Sequence, residues 1–418
     1  MNWSSINLDD WLSRQKRSFD EVSTTVKEII DEVRSRGDSA LLDLSEKFDK
    51  IRPESIKITG SEIDAAYEQV SPEICEALSE AYARISRFHE LQHRDDLWLA
   101  TTEPGITLGV KTTPLSRVGI YVPGGRAAYP TTVLMCAIPA SVAGVRNIIC
   151  CTPPPVNPLT LIACDIVGIE EIYQTGGAQA IAAMAYGTES IAPVEKIVGP
   201  GNRYVTAAKM LVRDTVEIDF PAGPSEIVII ADDTARPDFI AADILAQSEH
   251  DPLASSMLIT TSPGIAREVG EWINTLASGT KRKTLIEQSL QRSGYMLAVS
   301  PDEAVRAANL IAPEHLSIQV NDSLSMLKKI RNAGSIFIGP YTAVACGDYA
   351  SGTNHVLPTA GNARLYSGLN VAHFTKTSTV QMIDKEGLEE IGDTVEILAD
   401  AEGLFSHADS IRIRRKEL

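Results

Sequence analysis

The sequence predicts an α/β protein made of two doubly wound, incomplete Rossmann-like parallel-sheet units with helical N- and C-terminal segments. Three observations lead there. Short apolar runs alternate with amphipathic segments from Val110 to about residue 338. The runs are rich in Val and Ile, as strands buried on both faces are. Several break at glycine turns that open a helix, the join of a βα unit.

In chain order, residues 1–102 read as helices. Residues 19–36 carry apolar side chains at helical spacing and stop at Gly37-Asp38, residues 72–93 repeat the pattern, and no strand is evident. Residues 117–122 form a strand that breaks at Pro123-Gly124-Gly125, with residues 131–142 as its helix. Residues 147–151, 171–174 and 196–198 repeat the strand. A second series starts near Ser225, with strands at 226–231 and 256–260, helices at 237–249 and 263–277, and further strands at 295–299 and 335–338. After about residue 368 only helical segments and a basic end are expected.

Composition removes several function classes. With 418 residues, 44% hydrophobic and 22% charged, the chain is an ordinary globular protein of two or more domains, and disorder is excluded. Lys+Arg 38 against Asp+Glu 55 gives a net charge of -17, which argues against nucleic-acid binding because phosphates require a basic face. The short block Arg412-Ile413-Arg414-Arg415-Lys416 reads as a solvated tail. The six cysteines show no CxxC spacing, the first ten residues form no export signal, and no stretch is apolar enough to span a membrane. A cytoplasmic protein is expected.

Three glycine turns follow strands in the first unit: Pro123-Gly124-Gly125, Gly176-Gly177-Ala178-Gln179 and Gly199-Pro200-Gly201-Asn202. At a helix start, free backbone N–H groups and the positive dipole end hold phosphates. In open sheets ligands gather at the carboxyl ends of strands. No GxGxxG with a following acidic residue is present. By spacing alone, the turns either hold a nucleotide or simply close the chain.

Five of seven histidines lie after position 249, and four have polar neighbours: Gln247 with His250, Glu314 with His315, Asp348 with His355, and Glu402 with His407. Nitrogen and oxygen donors without thiolate suit Zn²⁺ in an open site. Gln247 and His250, at i and i+3, share one helical face, though a polar helix end has the same look. Glu314-His315 offers a base and an acid near neutral pH. Asp348 is a natural carboxylate ligand in a loop of small residues, and His355 either orients a ligand or hydrogen-bonds within the loop. A rival motif, His89-Glu90-Leu91-Gln92-His93, fits the HExxH of zinc peptidases, but no third histidine follows it. Cys136 and Cys346 leave a thiol-based aldehyde oxidation as a further alternative.

Taken together, the ordered motifs resemble the histidinol dehydrogenase family over essentially the whole chain. They are Tyr121-Val122-Pro123-Gly124-Gly125, Gly176-Gly177-Ala178-Gln179, Val198-Gly199-Pro200-Gly201-Asn202, Pro221-Ala222-Gly223-Pro224-Ser225-Glu226, residues 247–250, 312–316 and 347–359, and Ala401-Glu402-Gly403-Leu404 with His407. The resemblance implies a zinc-dependent, four-electron oxidation of L-histidinol through L-histidinaldehyde to L-histidine, the last steps of histidine synthesis, with two NAD⁺ reduced. It implies one Zn²⁺ per subunit held by Gln247, His250, Asp348 and His407, with catalysis by Glu314 and His315. It further implies NAD contacts at Tyr121, Gln179 and Asn202, and substrate contacts at Ser225 and Glu402 as well as at the metal and catalytic positions. Glu402 and His407 would reach the neighbouring site of a homodimer. The domains expected are an N-terminal segment 1–18, a zinc and substrate domain 19–102 with 227–368, an NAD domain 103–226, and a helical tail 369–418 reaching the partner. The family commonly has Phe-His-Glu-x-Gln at residues 88–92, which accounts for most of the peptidase-like match. The nearer alternative is a paralogue acting on another small polar alcohol, such as a dihydroxypropane sulfonate.

Overall fold

The computed structural model describes residues 3–15, 20–124, 128–221 and 223–416. Phe19, Gly125 of the first glycine turn and Ala222 lie outside the described residues. Helices Asp20–Arg36, Asp38–Asp49, Gly60–Gln69 and Pro72–Glu90 follow the predicted helical spacing. The region expected to be helical to residue 102 ends instead in a strand, β1 (Leu97–Glu103), paired antiparallel with β2 (Ile106–Pro114). Every residue of β1 is exposed, so no buried face writes a period of two into its sequence.

The first parallel sheet contains β3 (Arg117–Tyr121), β4 (Asn147–Thr152), β5 (Glu171–Gln174), β6 (Lys196–Val198) and β7 (Glu217–Ile218), in the order β5-β4-β3-β6-β7. The second contains β8 (Glu226–Ala231), β9 (Ser255–Thr260), β10 (Gly294–Leu297), β11 (His315–Gln319) and β12 (Ser335–Ile338), in the order β10-β9-β8-β11-β12. The two share one winding. The earliest strand is central, the next two build outward on one side, and the last two on the other. The switch points therefore fall between β3 and β6 and between β8 and β11. Alternation along β8 fills both faces of the second sheet: Ile227, Ile229 and Ala231 enter one core, and Val228 and Ile230 the other.

The N-terminal helices do not belong with the second sheet, where the sequence reading grouped residues 19–102. Val22, Val26, Ile30 and Leu41 share one core with Tyr121, Ile149, Ile181 and Ala207 of the first sheet. A helix's apolar stripe shows that it packs, not against which sheet.

The chain divides into two compact units. One runs to Gln92 and resumes at Ser116–Phe374, so both parallel sheets lie in it. The other, His93–Leu115 with Thr375–Leu418, is built on β1, β2 and a further strand, β13 (Thr375–Ile383), followed by helices Lys385–Ala401 and Phe405–Arg415. The segment after 368, read as helical only, thus contributes a strand paired antiparallel with β2. Residues 103–115, expected in the NAD domain, belong to this second unit.

Candidate active site

Helix Pro301–Ile311 ends at Ala312, whose φ of 52° is left-handed, and Pro313 follows. A non-glycine residue there costs roughly 1–2 kcal/mol, and proline cannot continue the helix. The chain is turned sharply into β11, which places Glu314 and His315 at its amino end. Ser225 directly precedes β8, the neighbouring strand, in parallel register with β11. The candidate residues of the second sheet thus gather at amino ends of strands, opposite to the carboxyl-end rule that guided the sequence reading.

Glu314 and His315 are buried, at 6% and 2% exposure. Glu314 Oε2 accepts from Ser225 Oγ at 2.5 Å and from the Glu226 N–H at 3.0 Å. Ser225 Oγ in turn accepts from Gln247 Nε2 at 2.6 Å. Burial pushes the Glu314 carboxyl up to about 7, only partly offset by those donors. Burial also lowers the His315 imidazole, against the pull of Asp348. Both shifts favour neutral forms, so the 3.7 Å approach of His315 Nδ1 to Glu314 Oε2 is not an ion pair. Nδ1 lies 3.3 Å from the Glu226 carbonyl, which can only accept. The proton therefore sits on Nδ1, and Nε2 carries the lone pair. Nε2 is buried, has no hydrogen-bond partner, and lies 3.8 Å from Asp348 Oδ1.

Gln247 ends helix Pro237–Ser248 and is 2% exposed. His250 follows in a turn closed by its own N–H to the Gln247 carbonyl at 3.3 Å, and its side chain is exposed. Asp348 lies in helix Val344–Tyr349. Its carbonyl accepts from His355 Nδ1 at 2.8 Å, and His355 Nε2 lies 3.4 Å from Thr132 Oγ1. The charges of Asp348 and His250 act on Glu314, and those of Asp348, His250 and His315 act on His355, so these side chains form one electrostatic cluster. Among the described residues, no three His, Cys, Asp or Glu side chains converge in a metal-binding arrangement. Glu402 and His407 lie in the second unit, at the end of helix Lys385–Ala401 and the start of helix Phe405–Arg415, both exposed.

The nucleotide candidates flank the switch point of the first sheet. Tyr121 ends β3, and its hydroxyl accepts from the Gly177 N–H at 3.1 Å. Gly199 leaves β6 with φ 113°, and a Cβ there would lie 2.2 Å from the Tyr121 carbonyl, so only glycine fits. Gln179, 1% exposed in the first turn of helix Gly177–Tyr186, has a buried Oε1 with no partner. Asn202 caps helix Arg203–Val212, its oxygen accepting from the N–H groups of Tyr204 and Val205 at 2.9 and 3.2 Å.

The family profile of histidinol dehydrogenase matches residues 12–415. The chain belongs to the histidinol dehydrogenase family. The histidinol dehydrogenase of Methanosarcina barkeri is 49% identical over 98% of this chain and 96% of its own. That of Methanothermobacter thermautotrophicus is also 49% identical, over 98% and 97%. The crystal structure of histidinol dehydrogenase from Elizabethkingia anophelis superimposes with a TM-score of 0.95 at 38% identity, covering 99% of this chain and 97% of that one. The activity is thus NAD-dependent oxidation of histidinol in histidine biosynthesis.

Membership in the histidinol dehydrogenase family leaves no role for the peptidase reading, and the structure gives the physical reason. Helix Pro72–Glu90 ends before His93, so the two histidines do not share a helical face. His89 is buried, with Nδ1 3.0 Å from Gln92 Oε1 and Nε2 3.3 Å from Asn354 Nδ2. The thiol alternative loses Cys136, which is fully buried and whose thiol burial pushes far up, away from the reactive thiolate, whereas Cys346 is exposed in helix Val344–Tyr349.

Two participants escaped the sequence reading. The backbone of Glu226 serves both Glu314 and His315, and a backbone group leaves no sequence signal. Asp243, four residues before Gln247, is buried, and burial pushes its carboxyl up to about 6, partly offset by the Val344 backbone N–H. It lies where the helix of Gln247 packs on the helix of Asp348, and its i, i+4 spacing from Gln247 was the available sign.

Proposed function

We propose that histidinol is oxidised at the cluster of Ser225, Gln247, His250, Glu314, His315 and Asp348, with zinc held by Gln247, His250, Asp348 and His407 of the partner subunit. The donors fit the metal in kind: imidazole, carboxylate and amide, with no thiolate. The Gln247 nitrogen donates to Ser225, which leaves its carbonyl oxygen as the ligating end. Only two imidazole or carboxylate donors of the set belong to the first unit, in keeping with a site completed by another chain. When bound, zinc supplies a Lewis acid that orients the imidazole and amine of histidinol.

Glu314 and His315 move the protons. In the first oxidation His315 Nε2 takes the hydroxyl proton of histidinol while a hydride passes from the carbinol carbon to NAD⁺, giving the aldehyde. Glu314, as carboxylate, then takes a proton from water as the water oxygen bonds to the aldehyde carbon, and His315 gives the proton it holds to the carbonyl oxygen, which forms the hydrate and restores the neutral imidazole. His315 removes a hydrate proton, and a second hydride leaves to a second NAD⁺, giving histidine. Ser225 holds Glu314 in place, and Tyr121, Gln179 and Asn202 contact the dinucleotide. Gln179 Oε1, buried without a partner, supports an acceptor role there.

The observation that carries this reading is the buried pair with opposite pKa shifts, a carboxyl near 7 beside a neutral imidazole whose Nε2 has no partner. Rates with histidinol and with histidinaldehyde test it. Glu314→Gln cannot accept a proton from water, so aldehyde oxidation should slow by about a hundredfold or more while alcohol oxidation slows far less. Equal losses in both halves would remove Glu314 from the hydration step.

A further inference from the structure

A second buried charge cluster lies outside the catalytic centre, at the switch point of the first sheet. Lys209, on helix Arg203–Val212, and Asp219, just beyond β7, are 4% and 7% exposed. Lys209 Nζ donates to Asp219 Oδ1 at 2.8 Å, to Oδ2 at 3.0 Å, and to the Gly199 carbonyl at 2.5 Å. Asp219 Oδ2 accepts from the Gly199 N–H at 2.8 Å. The loop closes on itself: both backbone polar groups of one glycine are held by the two members of one ion pair.

Taking two charges out of water is costly, and a well-packed apolar pair often stabilises a fold as well or better. The pair therefore needs a reason beyond stability. Gly199 is the residue whose backbone presses on the Tyr121 carbonyl at the end of β3, in a conformation that only glycine adopts readily. Three residues later Asn202 caps the same helix that carries Lys209. The turn from Gly199 to Asn202 is thus anchored at its start by the ion pair and at its end by the cap, both referred to one helix. Lys209 and Asp219 touch no candidate ligand position themselves.

We propose that Lys209 and Asp219 are positioning residues for the dinucleotide: by fixing Gly199 they preform the turn Gly199–Asn202 beside Tyr121 for NAD⁺ binding. This rests on the reading that the turn contacts the cofactor. A preformed turn lowers the ordering cost at binding, so its loss falls on nucleotide affinity rather than on chemistry.

The test is the double variant Lys209→Met with Asp219→Asn, which removes both charges together and leaves no lone buried ion. NADH affinity by fluorescence titration, KM for each substrate, and thermal unfolding are measured on the zinc-loaded enzyme. NADH affinity and the KM for NAD⁺ should worsen about tenfold or more. The KM for histidinol and kcat at saturating NAD⁺ should stay within about twofold, with a similar unfolding midpoint. A folded double variant with unchanged nucleotide affinity, or one losing kcat and both KM values together, overturns the proposal. Asn202→Asp, which keeps the cap, separates the underlying reading. If it weakens NAD⁺ while the double variant does not, only the positioning role fails; if it leaves NAD⁺ binding unchanged, the turn is not a cofactor contact and the proposal falls with it. Should the double variant not fold, hydrogen exchange on the unaltered enzyme decides. A preformed turn exchanges slowly without nucleotide and gains little protection from NADH, whereas a turn that orders only with NADH refutes the pair's role.

Discussion

At the scale of single residues, Glu314 carries the greatest tension between fold and function. Its carboxyl sits near 7 when folded against 4.5 as the ordinary value. Between those values the folded protein keeps a proton that the unfolded chain releases. Stability present in full below about 4.5 is therefore lost as pH rises through about 7. The shift corresponds to a loss of about 3 kcal/mol at most. Glu314→Gln has no proton to lose, so metal-free variant protein should gain on metal-free parent by up to that amount between pH 4.5 and pH 8. Denaturant unfolding at several pH values measures it, and a constant difference across the range would falsify the buried titration. That Glu314 and His315 offer a candidate base and acid was legible from residue type and adjacency. Which of the two would be neutral was not, because the answer lies in burial and in a backbone group of Glu226, 88 residues away in the chain.

At the scale of elements, the site depends on where helices and strands stop. Gln247 and His250 straddle the last turn of one helix, Asp348 sits on another, and the two helices pack together beside the buried Asp243. A ligand lost from such a site has no neighbour to replace it. His250→Ala or Asp348→Ala should lower bound zinc and turnover together, each by an order of magnitude or more. Metal analysis beside steady-state assays checks this, and full zinc with full activity in either variant would strike that residue from the ligand set. The sequence showed most strands of both parallel sheets because strands buried on two faces are largely apolar, but not β7, two residues long and exposed at Glu217. It hid β1 and β13 for the opposite reason. β1 is exposed along its length and β13 nearly so, and the latter begins Thr-Lys-Thr-Ser-Thr, with no face whose burial would set a period. It also hid the turn at Ala312, since a left-handed alanine has no compositional mark.

At the scale of the whole molecule, the candidate catalytic residues Glu314 and His315 belong to the first unit, while Glu402 and His407 are exposed on the second unit. Exposed zinc-ligand and substrate candidates make sense if they serve a site on another subunit, as the proposed homodimer requires. The family resemblance assigns these two residues to the neighbouring subunit's site, an assignment that the residues alone could not make, because chain order is blind to which copy a side chain reaches. Complementation decides it. Glu314→Gln and His407→Ala should each be nearly inactive in the full reaction, the first in hydration and the second through lost metal. In a mixed dimer with shared sites, one site holds Glu314 from one chain and His407 from the other, and the second site holds neither. Random exchange makes half of all dimers mixed, so turnover should recover to about a quarter of the unaltered enzyme. Recovery should track subunit exchange followed by differently tagged chains. If the subunits exchange and activity stays at the level of the parents, His407 serves its own chain or none, and the shared site is abandoned.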